Sequence, residues 1–146
     1  CGADVPPGQA CNALANTAET ITPTCVSGTM PVGTGGAIAD GTYVLTSQTS
    51  YQDTTCARSP LSETIAIAGD CIQLVFASFV SGTFSGRLTT QGSAITFDRT
   101  CQHIDADGAV FSEAEMESYT ATDSTFTVFS VNTAINTSNV AVFTRR

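Results

Sequence analysis

The chain has 146 residues, 12% of them charged, with 13 acidic side chains against 5 basic ones and a formal net charge of −8. All five basic residues are arginines (Arg58, Arg87, Arg99, Arg145 and Arg146), too few and too scattered to line a phosphate backbone, so nucleic acid is excluded as a main partner and an anionic membrane surface is disfavoured. A hydrophobic content of 42% supports a real core, and the longest uncharged apolar stretch, 71–86, is too often interrupted by Gln and Ser to supply the roughly 20 apolar residues of a spanning helix.

Six cysteines stand at 1, 11, 25, 56, 71 and 101, with no C-x-x-C pair and a single histidine. Zinc sites want thiolates and imidazoles at short spacings, so disulfides are the better reading and an oxidising, exported location follows. Cys1-Gly2-Ala3 resembles the mature start of a bacterial lipoprotein, in which the cysteine carries lipid; the resemblance implies Cys1 as an attachment site. Gly2 in second place is similar to lipoproteins sent on to the outer membrane or cell surface of Gram-negative bacteria.

Residues 1–40 hold four of the five prolines and read as an N-terminal tether or a strapped-down extension, with room for a brief helical turn within 9–20. A bridge Cys11–Cys25 would close a short loop there, worth roughly 3 kcal/mol on the chain-entropy model. From Gly41 to Arg146 the pattern changes to eight period-two runs, 42–47, 62–68, 71–79, 83–90, 94–99, 116–121, 124–131 and 139–144, which read as β-strands. Gly69-Asp70, Ser81-Gly82, Gln91-Gly92 and Thr122-Asp123 separate neighbours by connections too short for parallel crossovers. The fold class is therefore all-β: an eight-stranded antiparallel up-and-down barrel over 41–146, with a β-sandwich as the alternative. Threonines within the runs, among them Thr46, Thr83 and Thr96, are expected to turn their hydroxyls to water.

The stretch Thr34-Gly35-Gly36-Ala37-Ile38-Ala39-Asp40-Gly41-Thr42-Tyr43-Val44-Leu45-Thr46 resembles the segment that opens the folded part of small, uncharacterised lipoproteins of myxobacterial type. That resemblance implies export, attachment and a Cys56–Cys101 bridge; Cys71 departs from the pattern, and its partner is left open. Gly41-Thr42-Tyr43 is also similar to the opening of lipocalin-like barrels, without that family's tryptophan.

Candidate chemistry is sparse. His103 has no Gly-x-Ser-x-Gly elbow to serve and reads as a surface histidine beside a bridge. Glu63, Glu113, Glu115 and Glu117 offer no pair suited to glycoside cleavage. Asp105, Asp107 and Glu113 resemble the middle of a calcium loop, but registering that loop puts His103 first and Ala114 twelfth, so a solvated acidic turn is preferred and no cofactor is expected. Arg87 and Arg99 are expected on the outer face, opposite to Phe84-Gly86-Leu88 and Ile95-Phe97. Eight strands enclose a space that side chains just fill, so Phe76, Phe84, Phe97 and Phe126 decide between a packed core and a lumen. The expected function is a lipid-anchored, non-catalytic interaction module or envelope-assembly subunit, held at the membrane through Cys1 and binding a protein. The alternative is a carrier of a small apolar ligand, which needs an unfilled lumen, and an enzyme ranks third.

Overall fold

A computed structural model describes residues 9–51, 59–105, 117–132 and 137–146. Nine strands follow in chain order: β1 (Thr24–Val26), β2 (Gly41–Tyr51), β3 (Ser62–Ala68), β4 (Cys71–Ala77), β5 (Ser81–Gln91), β6 (Ala94–Ile104), β7 (Glu117–Ala121), β8 (Thr125–Asn132) and β9 (Thr137–Arg145). Strands β2 to β9 pair antiparallel with their sequence neighbours, and β9 returns to β2, from Tyr43↔Arg145 to Tyr51↔Ser138, closing an eight-stranded barrel of lipocalin-like architecture. All eight expected runs are strands. Closure gives every one of the eight strands a neighbour on both sides, which is what favours the barrel over a sandwich for so many short, hairpin-linked strands, although β6 meets β7 only at Ala94 and Ile95 among the described residues. The ninth strand, β1, adds parallel to the end of β2, with Cys25 opposite Ser50.

Two register shifts bend the wall, at Leu45/Ser47 on β2 and at Ser85/Gly86 on β5. At the second, Gly86 lies so close to β6 that an added Cβ would sit 2.9 Å from Phe97 Cε2 and collide with the Asp98 carbonyl. A side chain there would push β6 off β5 and flatten the curve that closure requires.

Inward-pointing residues form the core at one end, around Tyr43, Leu45, Ile67, Tyr119, Phe126 and Phe143. The segment 33–40 caps that end. Gly35 N donates to Tyr119 O at 2.7 Å, Ala121 N donates to Gly35 O at 3.0 Å, and the buried hydroxyls of Tyr119 and Tyr43 donate to the Gly36 and Ala39 carbonyls at 2.8 and 2.6 Å. The glycine pair is needed for the approach. Gly35 and Gly36 have φ of 77° and 127°, and a Cβ on Gly35 would stand 2.7 Å from the Gly92 carbonyl.

Residues 9–20 form no helix but an extended strap across the outer face of β3, β4 and β5, with exposure alternating from Asn12 to Glu19. The hydrogen-bonding capacity of two asparagines explains the difference. Asn12 Nδ2 donates to Phe84 O at 2.7 Å and Asn16 Nδ2 to Ser62 Oγ at 2.9 Å, while their Oδ1 atoms accept from Leu14 N and Ala18 N two residues on. These side-chain bonds replace the ones a helix would have made. Outward hydroxyls are consumed as well: Thr83 Oγ1 accepts from Cys11 N and Thr64 Oγ1 from Thr17 N, both at 2.9 Å, so Thr64 and Ser85 are fully buried and the half-buried Thr83 turns its hydroxyl to the strap.

A disulfide fastens the strap. Cys11 and Cys101 are bridged, with Cα atoms 5.6 Å apart. This corrects two expected pairings, Cys11–Cys25 and Cys56–Cys101, since each cysteine makes one bridge. A short loop 11–25 would have pulled residue 11 away from β5, where its backbone and Asn12 are hydrogen-bonded to Thr83, Phe84 and Ser85. Cys25 and Cys71 are also half-cystines.

Candidate functional site

Beyond the capped end the described residues leave the interior unfilled. A cavity of about 490 Å³ reaches from a floor of Ile65, Ile72, Ile95, Phe126 and Phe143 to the β4–β5 turn at Ser78, Phe79 and Val80. Its volume lies within the range of roughly 300–1,000 Å³ common to small-molecule pockets. Phe76, Phe84 and Phe97 line its wall rather than close it, the first two stacked at 5.6 Å with their planes 9° apart.

Among the described residues the polar lining is confined to Ser78 at the β4–β5 turn and a few side chains from the strands. Gln48 from β2, Ser130 from β8 and Asn139 from β9 supply neutral groups, and Glu63 from β3, Glu117 from β7 and Arg99 from β6 supply the ionisable ones. Glu63 stands across from Phe76 on β4, in phase with Ile65 and Ile67. No ion pair or hydrogen bond reaches its carboxyl from the described residues. Its remaining accessible surface faces the lumen, and burial, aided by the charge of Glu117, pushes its pKa from 4.5 up to about 8. At neutral pH it is therefore mostly protonated, a hydrogen-bond donor set in an apolar wall.

Arg99 also lines the cavity, which corrects the expectation that both arginines lie outside. It shares the parity of Ile95 and Phe97 and so points inward with them, its guanidinium carbon 5.2 Å from the centre of the Phe84 ring and one nitrogen donating to Gln102 Oε1 at 3.2 Å. Arg87 is outside, as expected, paired with Asp70 at 2.7 Å.

The remaining candidates stay apart from the lumen. His103 Nε2 meets Asp105 Oδ1 at 2.9 Å, and the Ser81 hydroxyl donates to Asp105 Oδ2 at 2.6 Å, which together hold the Asp105 carboxyl below its usual value. The carboxylate is the middle member of this group. Nucleophilic catalysis requires the histidine between serine and carboxylate, so Ser81 gains no base here. Asp107 and Glu113 lie outside the described residues, as do Cys1 and Cys56; among the described residues no three potential metal ligands gather. Comparison with protein-family models, with curated proteins and with solved structures finds no match to this chain.

Glu63 and Glu117 make no catalytic pair, and pairing is not the signal that marks them as lumen residues. The usable signal was phase: Glu63 alternates with Ile65 and Ile67, and Glu117 with Tyr119, so each charged residue falls on a face otherwise reserved for the core.

Proposed function

We propose that this protein is an exported, non-catalytic carrier of a small, mainly apolar molecule held in the barrel lumen. The observation that carries this reading is the unfilled cavity of about 490 Å³, walled by Phe76, Phe84, Phe97, Leu74 and Leu88 with only a few polar groups among them. An interaction module has no use for such a void, since unfilled apolar space forfeits packing that a denser core would gain. The Cys11–Cys101 bridge and the half-cystines Cys25 and Cys71 support export, because bridges persist in oxidising compartments. Lipid attachment at Cys1 is a separate proposal, and it competes with a bridge for the same thiol. Mass spectrometry of the native N-terminal peptide decides it: an acylated Cys1 supports the anchor, and a bridged Cys1 removes the anchor and leaves the carrier.

The carrier is tested with the disulfide-intact chain and an environment-sensitive naphthylamine dye. A saturable, one-site rise in fluorescence is expected, lost in Ala141→Phe and in Ser130→Phe, each of which places a ring in the lumen. Both variants are checked by circular dichroism for the native fold. Absence of dye binding, or binding unchanged in folded lumen-filling variants, overturns the reading.

A further inference from the structure

Hydrogen-bonding groups with capacity to spare are gathered on one wall of the lumen and say what kind of head group a ligand carries, an inference that rests on the carrier reading. Glu63 on β3, Gln48 on β2, Asn139 on β9 and Ser130 on β8 all line the cavity, and their strands are neighbours in the order β3–β2–β9–β8. Phase turns them inward: Glu63 alternates with Ile65 and Ile67, Asn139 with Ala141 and Phe143, and Ser130 with Val128 and Phe126. The other side of the lumen, on β4, β5 and β6, is lined by Leu74, Leu88 and Phe97. Asn139 Oδ1 accepts from the Ser50 hydroxyl at 2.6 Å, which leaves Nδ2 to donate. Among the described residues nothing bonds the Glu63 carboxyl, the Gln48 side-chain amide or the Ser130 hydroxyl. A carboxyl without a partner in an apolar wall keeps its proton, so Glu63 joins the row as a neutral donor. A pure hydrocarbon that expels water from this wall leaves its donors unpaired, whereas a ligand that brings an acceptor does not.

We propose that the lumen selects a neutral carbonyl compound, a ketone, ester or amide whose oxygen accepts from the β3–β2–β9–β8 wall while its apolar body lies along β4 to β6. An anionic head finds no cation on the four polar strands, and an ammonium brings only donors to a wall that already donates. The other ionisable groups of the lumen, Arg99 on β6 and Glu117 on β7, stand outside the row, and the lining residues of β2, β4, β5, β8 and β9 add none. Glu63 donates only while protonated, and burial, aided by the charge of Glu117, holds that proton up to about pH 8. Affinity for the carbonyl ligand is therefore level below that pH and falls above it, as the donor is replaced by a charge.

The experiment uses dye displacement on the disulfide-intact chain to compare 2-decanone with 2-methyl-1-decene, in which a methylene replaces the carbonyl oxygen, and with decylamine and decanoate. At pH 7 the ketone is expected to bind tighter than either ion. Glu63→Leu and Asn139→Leu are each expected to lower ketone affinity about five- to tenfold without lowering that of the alkene, as the loss of one hydrogen bond allows. Glu63→Gln keeps a neutral donor at every pH. It is expected to hold ketone affinity within about twofold at pH 7 and to remove the fall of about tenfold between pH 7 and 9. All three variants are checked by circular dichroism for the native fold. Ketone and alkene affinities that move together in every folded variant, a ketone affinity level up to pH 9, or tighter binding of decylamine or decanoate overturns the inference and leaves the carrier standing. Failure of all four compounds overturns both.

Discussion

At the capped end of the barrel, Tyr43, Tyr119 and Phe143 surround Phe126 with ring centres 6.1–6.3 Å away, and the two tyrosine hydroxyls end on carbonyls of the segment 33–40. Toward the β4–β5 turn, Phe76, Phe84 and Phe97 stand on the same inner surface around space that the described residues leave open, beside the Glu63 carboxyl, to which those residues give no cation. Residue type does not separate the two regions, since both are aromatic with a few polar tips. What separates them is whether the chain itself provides the last layer. The segment 33–40 folds under one end and completes it, while residues 9–20 run along the outside of β3 to β5 and add nothing to the adjoining interior.

The extension is thus the first thing to perturb. Replacing Cys11 and Cys101 together with serine releases a crosslink between residues 90 apart in sequence, for which the chain-entropy model gives roughly 4–5 kcal/mol. Urea denaturation is expected to show that loss. The capped end should keep its structure in the variant, seen as retained near-ultraviolet dichroism from Tyr43 and Tyr119; its disappearance in the absence of denaturant would show that the two regions do not stand independently.

Next in size is a pair of truncations that sets the regions side by side. Phe126→Ala removes the ring at the centre of the packed cluster and is expected to destabilise by roughly 3–4 kcal/mol. Phe97→Ala, on the half-buried cavity wall, forfeits fewer contacts and is expected to lose less than about 2 kcal/mol. Equal losses would mean that the lumen is as tightly packed as the cap.

The barrel itself was legible in the sequence, because a period of two and turn residues at short intervals are local signals and all eight runs carry them. The strand β1 was not: three exposed residues, Thr24 to Val26, have no inner face to mark them, and only the edge of β2 makes them a strand. Bridge pairing was illegible for a related reason. Which cysteine meets Cys101 depends on the path of the strap, and that path is set by Asn12 and Asn16 reaching carbonyls and hydroxyls some 46–73 residues away. The lumen residues lie between these cases. Glu63 and Arg99 were both in phase with core positions, so their inward direction was readable, but whether eight inner faces close up or leave a void depends on side-chain volumes summed across the barrel.

A change of opposite sign is expected at Glu63. Its carboxyl is raised from 4.5 to about 8 by burial first and by Glu117 second, so the folded state holds a proton that the unfolded chain releases. Stability is greatest below about pH 4.5 and falls as pH rises toward 8, beyond which this contribution is constant. Glu63→Gln removes the slope and is expected to stabilise the empty protein at pH 7–8 by roughly 1–3 kcal/mol, less than the full linkage value because the lumen admits water. Thermal melts at pH 4.5 and 8 check this: the variant should gain at the higher pH and be near wild type at the lower. A gain of the same size at both would point to packing rather than to the charge.

The smallest effect is expected where the two arginines are compared. Arg87 and Asp70 pair at 2.7 Å, but with side chains 59% and 55% exposed the attraction acts through water and is offset by the ordering of both chains. Arg87→Gln should therefore change stability by less than about 1 kcal/mol, and a double-mutant cycle with Asp70→Asn should return a coupling that shrinks further at 1 M salt. Arg99 is twelve residues on and chemically the same, but it lies over Phe84 inside the lumen, where salt does not reach it so freely. The coupling between Arg99→Gln and Phe84→Leu is expected to persist at 1 M salt. If that coupling is also screened away, Arg99 is solvated like its counterpart, and the lumen is a wet cleft rather than an apolar site with a chosen charge.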